Sequence, residues 1–253
     1  LKNIASERIR VELIKLLQGK GVENVLSRFK DIIFIIIPEL KTLDGFEQMT
    51  NYHIYDIWTH TVKVVANVKN TPELRVAALL HDIGKPEKFT IDSNGTGHFK
   101  GHPAVSKEIS EVVLKRLRFS NIEIEIITKA IELHDMRPDG TKRQLIKWCA
   151  KYGIENIENA LEIMEADAAA QNPEYYNQRM RLYELTAKQL NEIRCEAPCL
   201  KLKDLKINGN DLIALGFRGE SIGYTLEQLL SDVIEGTIKN EKGLLIAKAK
   251  EII

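Results

Sequence analysis

Cysteine is scarce in this chain. Its 253 residues include three, Cys149, Cys195 and Cys199, an odd set with no Cys-x-x-Cys pair and no zinc-ribbon spacing. That excludes a disulfide framework and points to reduced thiols in a cytoplasmic setting. Net charge is also missing: Lys+Arg and Asp+Glu stand at 36 each. No global positive field draws nucleic acid, so any such contact must come from local patches. There is no run of about 18 apolar residues and no charged-apolar-small pattern at the start, so neither a membrane span nor a secretory signal is expected. Internal repeats and low-complexity tracts are absent, which excludes solenoid arrays. The chain opens at Leu1, without Met, a few residues ahead of a helical pattern. Removal of a preceding segment is the expectation.

What is present is helical. The length suffices to bury a real core, and apolar residues recur at helical spacing in segment after segment. Residues 6–18 read as an amphipathic helix with Ser6 as cap and Gly19 and Gly21 as exit, and residues 21–30 as a second. The run Ile32–Ile37 before Pro38 is β-branched enough for a strand, but no second such run can pair with it, so it reads as a buried helix. A helix over 54–68 puts Asp56 and His60 four apart on one face. Thr71-Pro72-Glu73 is a strong start for a helix reaching about Asp82 and ending near Gly84. Residues 89–101, rich in glycine, read as a loop or short hairpin carrying His98. Further helices are expected over 102–118, from a cap at Asn121 to His134-Asp135, and over 141–152, 157–170 and 174–193. The last fifty residues, punctuated by Gly209, Gly216, Gly219 and Gly223, read as a small unit of two or three short helices.

The chemistry gathers at helix ends. His81-Asp82 closes the apolar run Leu74–Leu80 and is followed by Ile83-Gly84-Lys85. One imidazole and one carboxylate do not hold a catalytic divalent ion, but His60 lies one helix upstream and Asp167 ends another apolar helix downstream. Neutral imidazoles with hard carboxylates and open positions suit an ion used in phosphoester hydrolysis. Manganese, nickel, iron, zinc or magnesium all match such a set. Buried without an ion, these four would leave charge unpaired.

His60, His81-Asp82 and Asp167 match the H…HD…D signature of the HD superfamily of metal-dependent phosphohydrolases. Ser6–Leu13 resembles the neck motif of class II tRNA nucleotidyltransferases, the CCA-adding enzymes and their poly(A) polymerase relatives. Pro38-Glu39-Leu40, Gln48, Tyr52–Asp56, Gly97-His98-Phe99 and Gly101-His102 follow in the order seen in HD-bearing members, and Asp211-Leu212 through Gly223 resembles their tail. The resemblance covers nearly the whole chain. It implies an all-α bundle of HD type (46–180) with a helical neck (1–45) and a small helical tail (181–253). It also implies that His60, His81, Asp82 and Asp167 bind a divalent metal. His98, His102 and His134 would serve a second ion or substrate phosphate, and His53 would be structural. Lys85 is either a cation offsetting phosphate charge or a solvated lysine after a helix end, and His102, before a proline at a helix start, suits capping or a phosphate-facing role. The Gly-Ser and paired carboxylates of the family's catalytic head are not in this sequence, so nucleotide transfer is not expected of this chain alone.

RNA contact is expected from Arg8 and Arg10 in the neck and from Lys115, Arg116 and Arg118 at one helix end, although such runs are also the usual content of a solvated face. Three functions follow: a portion of a CCA-adding or poly(A) polymerase-like enzyme acting at tRNA or other RNA 3′ ends, with an HD phosphohydrolase site; a free-standing HD phosphohydrolase for nucleotides or cyclic phosphates; or a metal-free RNA-binding scaffold.

Overall fold

The computed structural model describes residues 4–196 and 198–252. The described residues are helical apart from one two-residue hairpin and the loops. They form two compact units, one running to Arg137 and resuming over Asn156–Tyr183, the other made of Pro138–Glu155 and the chain from Glu184 onward.

In the first unit α1 (Ser6–Gln18), α2 (Val22–Arg28) and α3 (Lys30–Ile36) lead through a 3-10 turn at Pro38–Leu43 to α4 (Ile57–Asn67), α5 (Pro72–Leu80) and the single turn α6 (Lys85–Lys88). An antiparallel hairpin of β1 (Thr90–Ile91) and β2 (Gly97–His98) follows, then α7 (His102–Arg116) and α8 (Asn121–Leu133). After α9 (Lys142–Tyr152), which belongs to the second unit, most of α10 (Ile154–Ala169) and the start of α11 (Pro173–Glu196) return to the first. The second unit continues with a 3-10 turn at Leu202–Asp204, α12 (Gly209–Ala214), α13 (Glu220–Ile234) and α14 (Lys242–Lys250) around Leu212, Phe217, Leu229 and Leu245.

Helix α5 explains the first unit. Every residue from Leu74 to Leu80 is buried, and the helix packs against α1, α4 and α8. A helix apolar on nearly all sides is stable only inside a layer of others. Leu17, Leu26, Ile33, Leu79, Leu80, Leu114 and Ile131 belong to one continuous core, so α1 to α3 share their core with the helices carrying the histidines. Each such side chain contributes roughly 1.5–3 kcal/mol by leaving water.

Local signals place the ends with small departures from the sequence reading. Ser6 is the first helical residue and Ala5 precedes it without a side-chain cap. Asp56 caps α4 through Thr59 instead of sharing a helical face with His60, because its carboxylate meets a free backbone N–H one turn on. Ser120, one residue before Asn121, caps α8 in a reciprocal box with Glu123. The Ile32–Ile37 run is helical, but only half of it is buried: Ile33, Phe34 and Ile37 face the core while Ile32 and Ile35 are 53% and 64% exposed.

Candidate metal centre

Three elements deliver the first four candidate ligands. His60 lies in the first turns of α4, His81 is the C-cap of α5 with Asp82 in the following turn, and Asp167 stands near the end of α10. Two sets of ligand atoms lie within 4.8 Å of one another: His60, His81, Asp82 and Asp167; and Asp82, His102 and His134. Asp82 is common to both. Its Oδ2 faces His81 Nε2 (3.1 Å) and His60 Nε2 (3.7 Å), while its Oδ1 faces His102 Nε2 (3.2 Å) and His134 Nε2 (3.7 Å). Asp167 Oδ1 lies 2.8 Å from His60 Nε2 and 3.9 Å from His81 Nε2.

The tautomers follow from the other side of each ring. His81 Nδ1 donates to Ala78 O (2.8 Å), His102 Nδ1 to Phe99 O (2.9 Å), His134 Nδ1 to Ile131 O (2.6 Å), and His60 Nδ1 reaches Ala170 O at 3.3 Å. A carbonyl has no proton to give, so the N–H is on Nδ1 and each neutral ring presents an Nε2 lone pair inward. For His81 and His134 the cause is local: each ends a helix and takes the carbonyl three residues back, which has no N–H partner there. The result is four lone pairs aimed at two carboxylates. His81 Nε2 and both oxygens of Asp82 are buried and receive no aligned hydrogen bond, even though Lys85 Nζ is 2.7 Å from Oδ2. Such a donor set, lacking protons where its atoms converge, fits a divalent cation.

Burial pushes the Asp82 carboxyl up, but His81, Lys85 and the two further imidazoles outweigh it and hold it well below the usual carboxylate range. Asp167 is likewise raised by burial and, on balance, held low by His60 and His81. Burial lowers His81 against the pull of Asp82. At His134 burial also lowers the ring, but Asp82 prevails and the net shift is upward.

Lys85 is not a solvated lysine: it is 5% exposed. Its Nζ donates to Gln48 Oε1 (2.8 Å) and sits 5.3 Å from the Phe99 ring centre. Gly84, just before it, allows this close approach to α7. A Cβ there would come within 2.5 Å of Ser106 N, and the Gly84 N–H donates to Ser106 Oγ (3.0 Å). His98 is not brought to the cluster. It stands exposed on β2, paired with Asp92 at 2.8 Å, because the short hairpin carries it away from the helix ends. His53 packs edge-on against His60 at 4.9 Å, and burial pushes its imidazole down to about 2.

Three site residues had no assigned role in the sequence reading. Gln48, 1% exposed, holds Lys85 and donates to Tyr55 O (3.2 Å). Gln171 donates to Asp167 Oδ2 (2.6 Å) and accepts from Arg179, whose guanidinium lies 5.2 Å from the Tyr52 ring centre. The four-residue spacing of Asp167 and Gln171 is the one signal that could have found the latter.

Of the basic residues, Arg8 and Arg118 are exposed, and exposed Lys115 lies 3.6 Å from Glu111. Arg116 is held by Glu39 through two contacts of 2.5 and 2.7 Å, and Arg10 donates to the Arg118 carbonyl and lies 3.8 Å from Glu123.

Residues 103–249 match the family model described as tRNA nucleotidyltransferase domain 2. The CC-adding tRNA nucleotidyltransferase of Thermus thermophilus is 26% identical over 245 residues, 92% of this chain and 54% of that protein. The A-adding tRNA nucleotidyltransferase of Deinococcus radiodurans is 28% identical over 174 residues, 66% of this chain and 40% of that protein. The multifunctional CCA protein of Nitrosococcus oceani is 26% identical over 219 residues, 82% of this chain and 50% of that protein. The chain spans about half the length of these curated relatives.

Proposed function

The chain belongs to the tRNA nucleotidyltransferase family, and from that premise we propose that it is a portion of such an enzyme that contacts RNA and carries a metal-dependent phosphohydrolase centre of HD type. The observation that carries the hydrolase reading is the set of Nδ1–H bonds to backbone carbonyls, which turns four Nε2 lone pairs toward two carboxylates. His60, His81, Asp82 and Asp167 would hold one divalent ion, and Asp82, His102 and His134 a second. Bound there, a divalent ion supplies a Lewis acid for a phosphoryl oxygen and a lowered pKa for the attacking water.

The chain's own residues do the rest. Asp82 divides its two oxygens between the groups. The protein encloses the ligands except at Asp167, whose side chain is 19% exposed while the others are 8% or less, so a phosphoester approaches beside Asp167. Arg179, held on Gln171 beside Asp167, places a cation near that approach, while Lys85 places one on Asp82. RNA contact is assigned to the exposed Arg8, Lys115 and Arg118, with an RNA 3′ end as partner. A cytoplasmic setting is part of the same proposal, supported by three cysteines without a disulfide between them. No helix among the described residues is long and apolar enough to cross a membrane.

The test is turnover of a 2′,3′-cyclic nucleotide and of a simple phosphomonoester with manganese, nickel, cobalt, zinc or magnesium. Activity with at least one ion, lost in Asp82→Ala, is the expected result. If no rate exceeds that of Asp82→Ala while metal analysis shows a bound ion, the ion is structural and the hydrolase reading is wrong.

A further inference from the structure

The cluster is poor in negative charge for two divalent ions. It holds two carboxylates, Asp82 and Asp167, and one of them already carries a cation, since Lys85 Nζ lies 2.7 Å from Asp82 Oδ2. That ammonium is built into place. Gln48 Oε1 accepts from it at 2.8 Å, and Gln48 is oriented by its own bond to Tyr55 O. The Gln48 backbone is pinned in turn. Met49 is held at a positive φ of 53°, its carbonyl accepts from Gly97 N (2.8 Å), and a Cβ on residue 97 would come within 2.3 Å of Gln48 O. A non-glycine residue in the left-handed region persists only where its surroundings over-determine it. A second cation, Arg179, stands one side chain beyond Asp167, on Gln171.

With one divalent ion among His60, His81, Asp82 and Asp167, the fixed positive charge already exceeds what the two carboxylates carry. A second ion at Asp82, His102 and His134 would meet two neutral imidazoles and a carboxylate shared with both the first ion and Lys85. In a buried cluster such repulsion is weakly screened. We propose that the second divalent ion binds tightly only together with a phosphate group, which supplies the missing negative charge, and that Lys85 is the residue that sets this coupling. The proposal rests on the metal reading above and adds to it an order of assembly: one resident ion, then ion and phosphate together. Linkage makes the effect reciprocal, so the second ion tightens phosphate by the factor by which phosphate tightens the ion.

The test titrates the metal-stripped full chain with manganese, counting free ion by its magnetic resonance signal, with and without inorganic phosphate. The native chain should take one manganese tightly, and a second with an affinity that rises about tenfold or more when phosphate is added. Lys85→Met, and Lys85→Gln, which keeps a polar group between Asp82 and Gln48, should take two without phosphate. His102→Ala should take one under every condition. The proposal is overturned if the native chain binds two ions whose affinities phosphate does not change, or if both Lys85 variants still require phosphate for the second. If neither native chain nor variants bind any ion, the metal reading falls, and the proposal with it.

Discussion

His102 and His134 turn their Nε2 atoms toward each other at 3.1 Å while backbone carbonyls take both Nδ1 protons. Two neutral rings so placed oppose lone pair to lone pair, and a cation between them or beside them relieves it. Asp82 Oδ1, at 3.2 and 3.7 Å from the same two nitrogens, completes a three-atom group with the donor chemistry of a metal site.

Because Asp82 serves both groups, Asp82→Ala should remove both ions where His102→Ala removes one. It should also destabilise the metal-free chain by roughly 3–5 kcal/mol, since Lys85 stays buried without its carboxylate. Urea unfolding of the metal-stripped proteins checks this, and the double change Asp82→Ala with Lys85→Met should recover much of the loss.

Metal binding at His102 and His134 should be proton-linked. The His134 pKa is raised on folding, Asp82 outweighing burial, so its proton stabilises the metal-free fold fully below the unfolded value of about 6.5. That contribution disappears as pH rises through the higher folded value. An ion needs the ring unprotonated, so affinity at this group should climb with pH across that window and binding should release protons. Calorimetry in buffers of different ionisation enthalpy reads the proton count directly.

Gly84→Ala should damage the second ion group more than the first. The added Cβ would meet Ser106 N at 2.5 Å and His102 O at 3.0 Å, forcing the start of α7 away from Asp82. Overpacking of this kind costs about 1–3 kcal/mol. Thermal unfolding gives that cost, and metal titration shows whether the second affinity falls further than the first.

The basic residues should separate by role. Reversing Arg8, Lys115 or Arg118 should weaken RNA binding and reduce its salt dependence by about one counterion per lost phosphate contact. Arg116→Ala should instead lower stability, by up to about 1 kcal/mol, because its partially exposed pair with Glu39 is bidentate. Filter binding across salt concentrations, beside unfolding curves, distinguishes the two.

The core and the histidines at helix ends were legible because their causes are local. Leu74–Leu80 is apolar throughout, and Leu80-His81-Asp82 and Leu133-His134-Asp135 each put a histidine where a helix runs out of backbone donors. Convergence of His60 with Asp167 depends on how α4 and α10 lie, which spacing does not state. Lys85 was ambiguous for a similar reason: its burial follows from Gln48, thirty-seven positions away, and from the Gly97 contact that pins Gln48. His98 was misleading because it shares a residue type, but not a helix end, with His81 and His134. Arg10 and Arg116 looked like a free basic surface until Glu39, Glu123 and the Arg118 carbonyl were found against them.

The most direct measurement is a crystal structure of the chain grown with manganese, with anomalous scattering recorded at the manganese edge. The account predicts an anomalous peak among His60, His81, Asp82 and Asp167, about 2.0–2.3 Å from their ligand atoms, with the His81 and His134 Nδ1 bonds to Ala78 and Ile131 intact. An anomalous map without a peak at either group, with Lys85 still on Asp82 as its sole cation, would contradict it.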